Sequence, residues 1–381
     1  MCRQSAMVCQ VESVLAVPQP GAGLVERLGQ LPDPRGRRGR RHTMMSVLLI
    51  AAAAVVAGAR SYAAIGQWAK NAPQAALARV NARVLPVFGF RVPPSGATIR
   101  RVIALVCPGG LADLTGADPA TAESVAVDGK AAKGSRHDAT PAAHLLAAIT
   151  DNGHVISQIR IPDKTNEITC FADLLRPFDL TGKVVTADAL HTQRGHARFL
   201  VEDKRAHFVF TVKKNQPTLY QRLRTLPWDH VTVTHYDRGA GHGRKETRVL
   251  KALTVDDLDF PHVHQVARLT RHSTRIKTGK QTRETVYLIT SLTSQQASPD
   301  RLQRLARSQW IIENRLHYVR DVTFAEDASQ VRTGHGPENM ATLRSLAINC
   351  FREAGSTNIA EAIRHVSYHP FTRPLDLLGI A

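Results

Sequence analysis

Ser124-Val125-Ala126-Val127-Asp128-Gly129-Lys130 is the stretch that decides the fold, because it has the pattern of a short buried strand ending in an acid. Small and β-branched residues before Asp128 favour a strand, and Gly129 favours a close turn after it. The same pattern returns at Lys183-Val184-Val185-Thr186-Ala187-Asp188. If the two strands are neighbours in one sheet, Asp128 and Asp188 face one another. Carboxylates so close repel unless a divalent cation lies between them, although either aspartate alone could instead start a turn or cap a helix.

The composition predicts a folded protein with an anionic partner. The chain has 381 residues, so two or three domains are expected, and 43% of its residues are hydrophobic, enough for a sizeable core. There are 50 Lys and Arg against 32 Asp and Glu, a net charge of +18. Such a charge attracts polyanions, usually nucleic acid, although a ribosomal or merely solubilising surface would give the same value.

Cysteine usage and hydropathy point to the cytoplasm. The five cysteines are scattered without a CxxC pair, which fits reduced thiols and speaks against structural zinc or a disulfide framework. The uncharged run 44–59 is shorter than the ~20 residues that span a bilayer and follows no signal-peptide pattern. We therefore predict a buried helix here and no membrane segment.

The N-terminal part predicts a leader, residues 1–23, followed by a basic arm and a helical DNA-binding domain, residues 24–118. The arm Leu31–His42 contains prolines and glycines that exclude a regular helix. Its five arginines are Arg35, Arg37, Arg38, Arg40 and Arg41. They form either a solvated charge run or a set of guanidinium groups matched to phosphate oxygens.

The first part of the core, residues 119–215, follows the order strand, hairpin, helix, strand, helix, strand. Asp151-Asn152-Gly153 between two apolar runs is a strong hairpin signal. Three antiparallel strands followed by parallel αβ units give an α/β, RNase H-like mixed sheet. In that sheet the first and fourth strands are adjacent, which would bring Asp128 and Asp188 together.

The later parts of the chain change pattern twice. Residues 216–298 predict a β-rich insertion, in which Gly239–Gly243 is a hairpin tip rather than a phosphate loop. Residues 299–365 predict the second part of the core, with a helix capped by Asp300, and 366–381 predict a C-terminal tail.

The helix after Asp300 has a polar stripe beside its buried one. The stripe consists of Gln309, Glu313, His317 and Arg320. It is either a solvated face or the means by which Glu313 joins the two aspartates. Asp, Asp and Glu can chelate two Mg²⁺ ions and support phosphodiester chemistry. His191 and His317 lie nearest the proposed site and are predicted to be helpers or satisfied surface groups rather than metal ligands.

Five blocks resemble one known family. They are Val125–Lys130, Thr186–Gln193, Val212–Pro217, Trp310–Phe324 and Arg332–Arg344. In this order they resemble bacterial insertion-sequence transposases of the DDE type, in the subgroup of H-repeat-associated proteins. The arm Leu31–His42 resembles the N-terminal associated domain of that subgroup, so the resemblance covers roughly residues 25 to 350.

The resemblance implies cut-and-paste DNA transposition: strand cleavage at element ends and transfer of the 3′-OH into target DNA. It implies that Asp128, Asp188 and Glu313 are catalytic and bind two Mg²⁺ ions, for which Mn²⁺ could substitute. The implied partner is double-stranded DNA, both terminal inverted repeats and target. A homodimer in the synaptic complex and a bacterial, nucleoid-associated location in the cytoplasm are also implied.

The resemblance also implies DNA contacts, with two departures from the related Tyr-Arg-Glu-Lys signature. The expected contacts are Arg35, Arg37, Arg38, Arg40, Arg41, Lys130, Lys213, Lys214, Asn215 and Arg320. The signature places a lysine where this chain has Arg320 and an arginine where it has Gln309. Two other functions stay open: a metal-dependent nuclease without strand transfer, and an inactive DNA-binding remnant, against which the presence of all three acids argues.

Overall fold

The structure is a computed structural model that describes residues 23–163, 165–232, 234–241 and 243–381. Of the predicted leader, residues 1–22 lie outside this part, as do Cys2 and Cys9. The cysteines that the structure describes are Cys107, Cys170 and Cys350. The chain divides into two compact units. The helical unit consists of the residues up to Asp118, Gly129–Asn166 and Glu313–Ala381. The sheet unit consists of Pro119–Asp128 and Glu167–Ile312.

The described chain contains helices and strands in the following order. The helices are α1 (Leu24–Gly29), α2 (Met44–Val56), α3 (Tyr62–Asn71), α4 (Gln74–Arg79), α5 (Gly96–Leu105), α6 (Pro108–Thr115), α7 (Glu167–Leu175), α8 (Arg194–Arg198), α9 (Pro217–Arg224), α10 (Pro299–Ile311), α11 (Gly336–Glu353), α12 (Ile359–Ser367) and α13 (Arg373–Leu377). The strands are β1 (Arg83–Val84), β2 (Arg91–Val92), β3 (Ser124–Ala132), β4 (Ala143–Thr150), β5 (Val155–Ile161), β6 (Val184–Ala187), β7 (His207–Val212), β8 (Thr234–Gly241), β9 (Arg244–Thr254), β10 (Gln265–Arg275) and β11 (Gln281–Thr290).

The uncharged run near the N-terminus forms α2, a buried helix of the helical unit. Thr43 caps it by accepting a hydrogen bond from the Ser46 backbone N–H at 3.2 Å. Nearly every residue of α2 is buried, and the helix packs against α11, which is equally buried from Gly336 to Phe351. No helix in the described residues has the length and apolar character needed to cross a bilayer.

The large sheet has the strand order β5-β4-β3-β6-β7-β11-β10-β9-β8, with β3 carrying residues of both units. β3 runs parallel to β6 and β6 parallel to β7, while β4 and β5 form the predicted antiparallel hairpin. Gly153 in its turn has a φ of 90°, which glycine adopts without strain. This winding confirms the predicted RNase H-like fold class.

The segment predicted as a β-rich insertion extends the same sheet. β11 pairs antiparallel with β7 over Tyr287–Thr290, and β10, β9 and β8 follow in antiparallel order. Sequence analysis missed α9 in this segment because its apolar positions, Leu219 and Leu223, span only one turn. The outer ends of β9 and β10 carry charged residues rather than an apolar alternation.

Two local predictions are corrected. Asp128 does not end its strand, because β3 continues to Ala132 and Gly129 makes no turn there. The sequence pattern predicted the wrong end for β3 because the residues after Asp128 are small or polar. They are held in the strand by pairing with another strand of the sheet, which local sequence does not reveal. The cap of α10 is Ser298, which accepts a hydrogen bond from the Arg301 backbone N–H at 3.3 Å; Asp300 lies in the first turn.

Helix α10 packs on the sheet of its own unit. Leu302 and Leu305 belong to one core cluster with Leu250, Ala267 and Leu288 of the strands. After Ile311 the helix continues in wider π turns over Ile312–His317 and Val319–Thr323. Such π segments occur mostly as single turns and are frequent at functional sites.

Candidate metal centre

The two aspartates follow the last paired residues of two neighbouring parallel strands. Within the sheet unit, Val127 of β3 lies opposite Ala187 of β6. Asp128 and Asp188 are the next residues of the two strands. Because β6 ends at Ala187, its continuation leaves the sheet just where β3 carries Asp128. The predicted adjacency of the two strands is therefore present, although its cause is the end of β6 and not the end of β3.

Asp188 also caps the short 3₁₀ turn that follows it. Its Oδ1 accepts a hydrogen bond from the Leu190 backbone N–H at 2.9 Å. Asp188 thus has the capping role that the sequence left open as an alternative. A carboxylate has two oxygens with several acceptor positions, so a cap and a metal-ligand role are compatible.

The loop after β7 holds the turn that carries Asp188. The Asn215 side-chain amide donates to the Ala189 carbonyl at 2.7 Å, and Gln216 donates to the Thr192 carbonyl at 2.9 Å. Asn215 therefore has a positioning role in addition to its predicted DNA contact. The preceding Lys213 and Lys214 are exposed.

Gln309 of α10 connects the ends of both strands. Its Nε2 donates to the Val127 carbonyl at 3.0 Å, and its Oε1 accepts a hydrogen bond from the Thr186 hydroxyl at 2.9 Å. One helical position is thereby fixed against the residue before Asp128 and the residue two before Asp188. Sequence analysis placed Gln309 in the polar stripe with Glu313 and noted it as a departure, but assigned it no positioning role.

Glu313 follows Gln309 by about one helical turn. Its Oε2 lies 3.0 Å from His317 Nδ1, and its side chain is 57% exposed. The hydrogen bond from His317 holds the pKa of Glu313 below its ordinary value despite partial burial, with smaller help from the charges of His317 and Lys130. Glu313 is therefore an ionised carboxylate whose orientation is set by a buried histidine ring.

The other predicted helper, His191, lies inside the sheet unit. Its side chain is fully buried, with Nε2 3.2 Å from Glu167 Oε2 and its ring 5.2 Å from that of Phe171. The prediction of a surface group is therefore wrong for His191, because its ring is buried and packs against Phe171.

Three of the predicted DNA contacts are largely buried and ion-paired within the protein. Lys130 Nζ lies 2.7 Å from Asp321 and 3.5 Å from Asp327, and its side chain is only 9% exposed. Arg35 is also buried, and its guanidinium binds both oxygens of Asp33 at 2.9 and 2.7 Å.

Arg320 is the third, and the structure corrects its assignment as a phosphate contact. Its side chain is fully buried and binds Glu326 at 2.6 Å and Gln158 at 3.0 Å. Arg344 binds the second oxygen of Glu326 at 2.8 Å. Burial raises the pKa of Glu326, but the charges of Arg320 and Arg344 outweigh it and bring this pKa to about 2.

The acidic member of this cluster is held firmly in place. Glu326 is 1% exposed and lies between the guanidinium groups of two arginines. Sequence analysis missed the cluster because Arg344 lies on α11, eighteen residues further along the chain.

The basic arm is partly self-bound. Arg40 donates to the carbonyls of Arg35 and Asp33 at 2.8 and 2.9 Å, which closes the loop around the Arg35–Asp33 pair. Arg37, Arg38 and Arg41 are exposed. Within the described part of the arm, these three present guanidinium groups to solvent.

Comparison with known proteins places the chain in a family. Residues 118–350 match the family described as "Transposase DDE domain", and residues 25–116 match the family described as "DDE_Tnp_1-associated". "Putative transposase YncI" of Escherichia coli O157:H7 is 30% identical over 247 residues, which are 61% of this chain and 62% of that protein. "H repeat-associated putative transposase YhhI" of Escherichia coli strain K12 is 26% identical over 349 residues, 86% of this chain and 89% of that protein.

These matches agree with the strand topology and with the paired aspartates. The first match spans less than two thirds of its relative, while the second spans most of both chains. Divalent metal use follows from the matched domain. Since that domain covers more than half of its length, the chain belongs to the DDE transposase family.

Proposed function

We propose that this protein is a Mg²⁺-dependent transposase that cleaves DNA at the ends of a mobile element and joins the freed 3′-OH to target DNA. The observation that carries the proposal is the pair Asp128 and Asp188 directly after Val127 and Ala187, which are opposite one another in parallel strands. Helix α10, fixed to these strands by Gln309, leads one turn later to Glu313.

The donor set fits a hard divalent cation. Asp128, Asp188 and Glu313 offer carboxylate oxygens, which Mg²⁺ prefers, and Mn²⁺ accepts the same ligands. When bound, two such ions activate the attacking water or 3′-hydroxyl and stabilise the leaving oxygen of the phosphodiester.

The chain's own residues orient this set. Gln309 fixes α10 at the strand ends, Asn215 holds the turn that carries Asp188, and His317 directs one oxygen of Glu313. Ligands restrained in this way lose little freedom when they bind, which is what a reaction sensitive to sub-ångström placement requires.

We further propose double-stranded DNA as the partner, at the terminal inverted repeats and at the target. The net charge of +18 supports this, as do the exposed Arg37, Arg38 and Arg41 of the arm and Lys213 and Lys214 beside the Asp188 turn. Two ends must be cut and joined together, so a homodimer in the synaptic complex is part of the proposal, as is a place on the nucleoid in the cytoplasm.

The test uses purified protein, DNA carrying the element ends with their flanks, and Mg²⁺. We expect the parent to cleave and to join ends, and Asp128→Asn and Asp188→Asn each to lose cleavage while retaining end binding. Asp173→Asn, which removes an exposed carboxylate of α7, is the matched control. Cleavage by either mutant at more than a few per cent of the parent rate would remove that residue from the ligand set. Cleavage without joining by the parent would identify a nuclease.

A further inference from the structure

The outer ends of β8–β11 have a basic face. Side chains alternate along a strand, and the register places Arg238, Thr247, His272 and Arg283 opposite one another in one row across four strands. Tyr236 and Lys245 lie on the same face in the neighbouring rows. Apart from Thr247, these side chains are exposed, and Tyr236 is 62% exposed. Among the described strand positions of this face, none is Asp or Glu.

The opposite face of the same strands carries the acids. Asp237, Glu246 and Glu284 all have the other parity and are neutralised there. Arg271 lies 2.6 Å from Glu284, and Arg248 pairs with Glu246. Further along the strands this face becomes apolar and packs under α10. The acids and their arginine partners are thus confined to one side of the sheet, and the other side keeps a net positive charge.

The basic face ends where the strands approach Trp228. Arg268 stacks over the Trp228 ring with its guanidinium carbon 5.4 Å from the centroid, and it lies 3.9 Å from Asp229. Lys251 donates to the Trp228 carbonyl at 2.8 Å. These two cations are engaged within the protein, so the available charge is that of Arg238, Lys245 and Arg283.

We propose that this basic face binds the sugar-phosphate backbone of duplex DNA, an inference that rests on the proposed DNA-cutting function and assigns it a surface. Strands lie about 4.8 Å apart, so Arg238 on β8 and Arg283 on β11 are separated by roughly 14 Å. That span approximates the ~12 Å width of the major groove, across which phosphates of both DNA strands can be reached. Guanidinium and hydroxyl groups in such a row position a duplex without reading its sequence.

The experiment compares two pairs of exposed arginines on the same two hairpins. The first double variant, Arg238→Ala with Arg283→Ala, removes two positive charges from the basic face. The second, Arg244→Ala with Arg275→Ala, removes two positive charges from the opposite face. Affinity of the full-length protein for a fluorescent duplex of about 30 base pairs is measured over a range of salt concentrations. We expect the first pair to lower the slope of log affinity against log salt by about 1.8, or 0.9 per neutralised phosphate, and the second to leave it near the parent value.

The experiment distinguishes binding at the basic face from non-specific attraction of DNA to the net positive charge of the protein. An equal effect of both pairs, or no effect of the first, would overturn the inference while leaving the proposed function intact. A parent protein without affinity for duplex DNA would overturn both. The melting temperature of each variant checks that it is folded.

Discussion

Gln309 donates a hydrogen bond to the Val127 carbonyl at 3.0 Å and so ties helix α10 to the strand that carries Asp128. The same side chain accepts from Thr186 of the neighbouring strand. One amide therefore sets the distance between a helix and two strand ends. An arginine at this position, as in the related signature, would bring a positive charge and only hydrogen-bond donors. The glutamine of this chain brings both a hydrogen-bond donor and an acceptor.

Replacing Gln309 by leucine should slow cleavage more than it weakens DNA binding. The substitution leaves the Val127 carbonyl and the Thr186 hydroxyl without their partner and loosens the helix that leads to Glu313. We expect a loss in cleavage rate of roughly tenfold to a hundredfold at saturating DNA. Ser308→Ala is the control, because Ser308 also bonds a strand residue, Ser124 at 3.1 Å, from the same helix. Equal rate losses in both variants would show a general packing effect instead.

Glu313→Gln and Glu326→Gln should fail in different ways. Glu313 is half exposed, so its replacement should abolish Mg²⁺-dependent cleavage and leave the melting temperature nearly unchanged. Glu326→Gln leaves Arg320 and Arg344 buried without a counter-charge, which typically costs about 3–5 kcal/mol of stability. Thermal unfolding and cleavage are measured on the same samples, so that a loss of stability can be distinguished from a loss of catalysis. A Glu326 variant with parental stability and no cleavage would move the third ligand to that residue.

The low pKa of Glu326 predicts acid lability. Its folded pKa of about 2 lies below the ordinary value of 4.5, so its contribution to stability is present above pH 4.5 and is lost as the pH falls toward 2.

The pKa of Asp113 is shifted in the opposite direction, so its effect on stability has the opposite pH dependence. Burial raises its pKa to about 6 against the hydrogen bond that Ser157 donates at 2.5 Å, so stability falls as the pH rises from 3.8 to about 6.

Asp113→Asn should therefore stabilise the protein at neutral pH and not at low pH. Asparagine keeps an acceptor for Ser157 without the charge that burial penalises. At pH 8 we expect a gain on the order of 2 kcal/mol, and at pH 4 a difference close to zero. Denaturant unfolding at both pH values measures it. A gain of equal size at the two pH values would show that titration of Asp113 is not the cause.

In the basic arm, exposed and buried arginines should behave differently. Alanine at Arg37, Arg38 and Arg41 should reduce the salt dependence of DNA binding by about 0.9 for each phosphate that is no longer neutralised, and should leave folding intact. Arg35→Ala should instead lower the melting temperature, because Asp33 and the His42 carbonyl lose their partner. If the triple variant has the same slope of log affinity against log salt as the parent, the arm is a solvated charge run and not a DNA contact.

The strands and the paired aspartates could be predicted because their signals are local. Apolar runs before Asp128 and Asp188 and the Asn152-Gly153 turn fix the winding of the sheet. The continuation of β3 to Ala132 could not be predicted, since Gly129 and Lys130 have little strand preference and are held by pairing elsewhere in the sheet.

The roles of the arginines could not be predicted for a related reason. A guanidinium has the same local signature whether it faces solvent or a buried acid. Arg35 and Arg320 differ from Arg37 only in having Asp33 or Glu326 as a partner, and Arg238 acquires its significance only from the register that sets it in a row with Arg283.

The packing of α2 against α11 also sets an order for synthesis on the ribosome. The apolar helix that ends at Val56 is made about 280 residues before the helix that begins at Gly336 and buries it. At about 5–20 residues per second, this interval lasts roughly a quarter of a minute to a minute. During that time α1, α3 and α5 can already pack against α2, but the part of α2 that contacts α11 is uncovered. Production of the protein should therefore depend on chaperones that shield nascent chains.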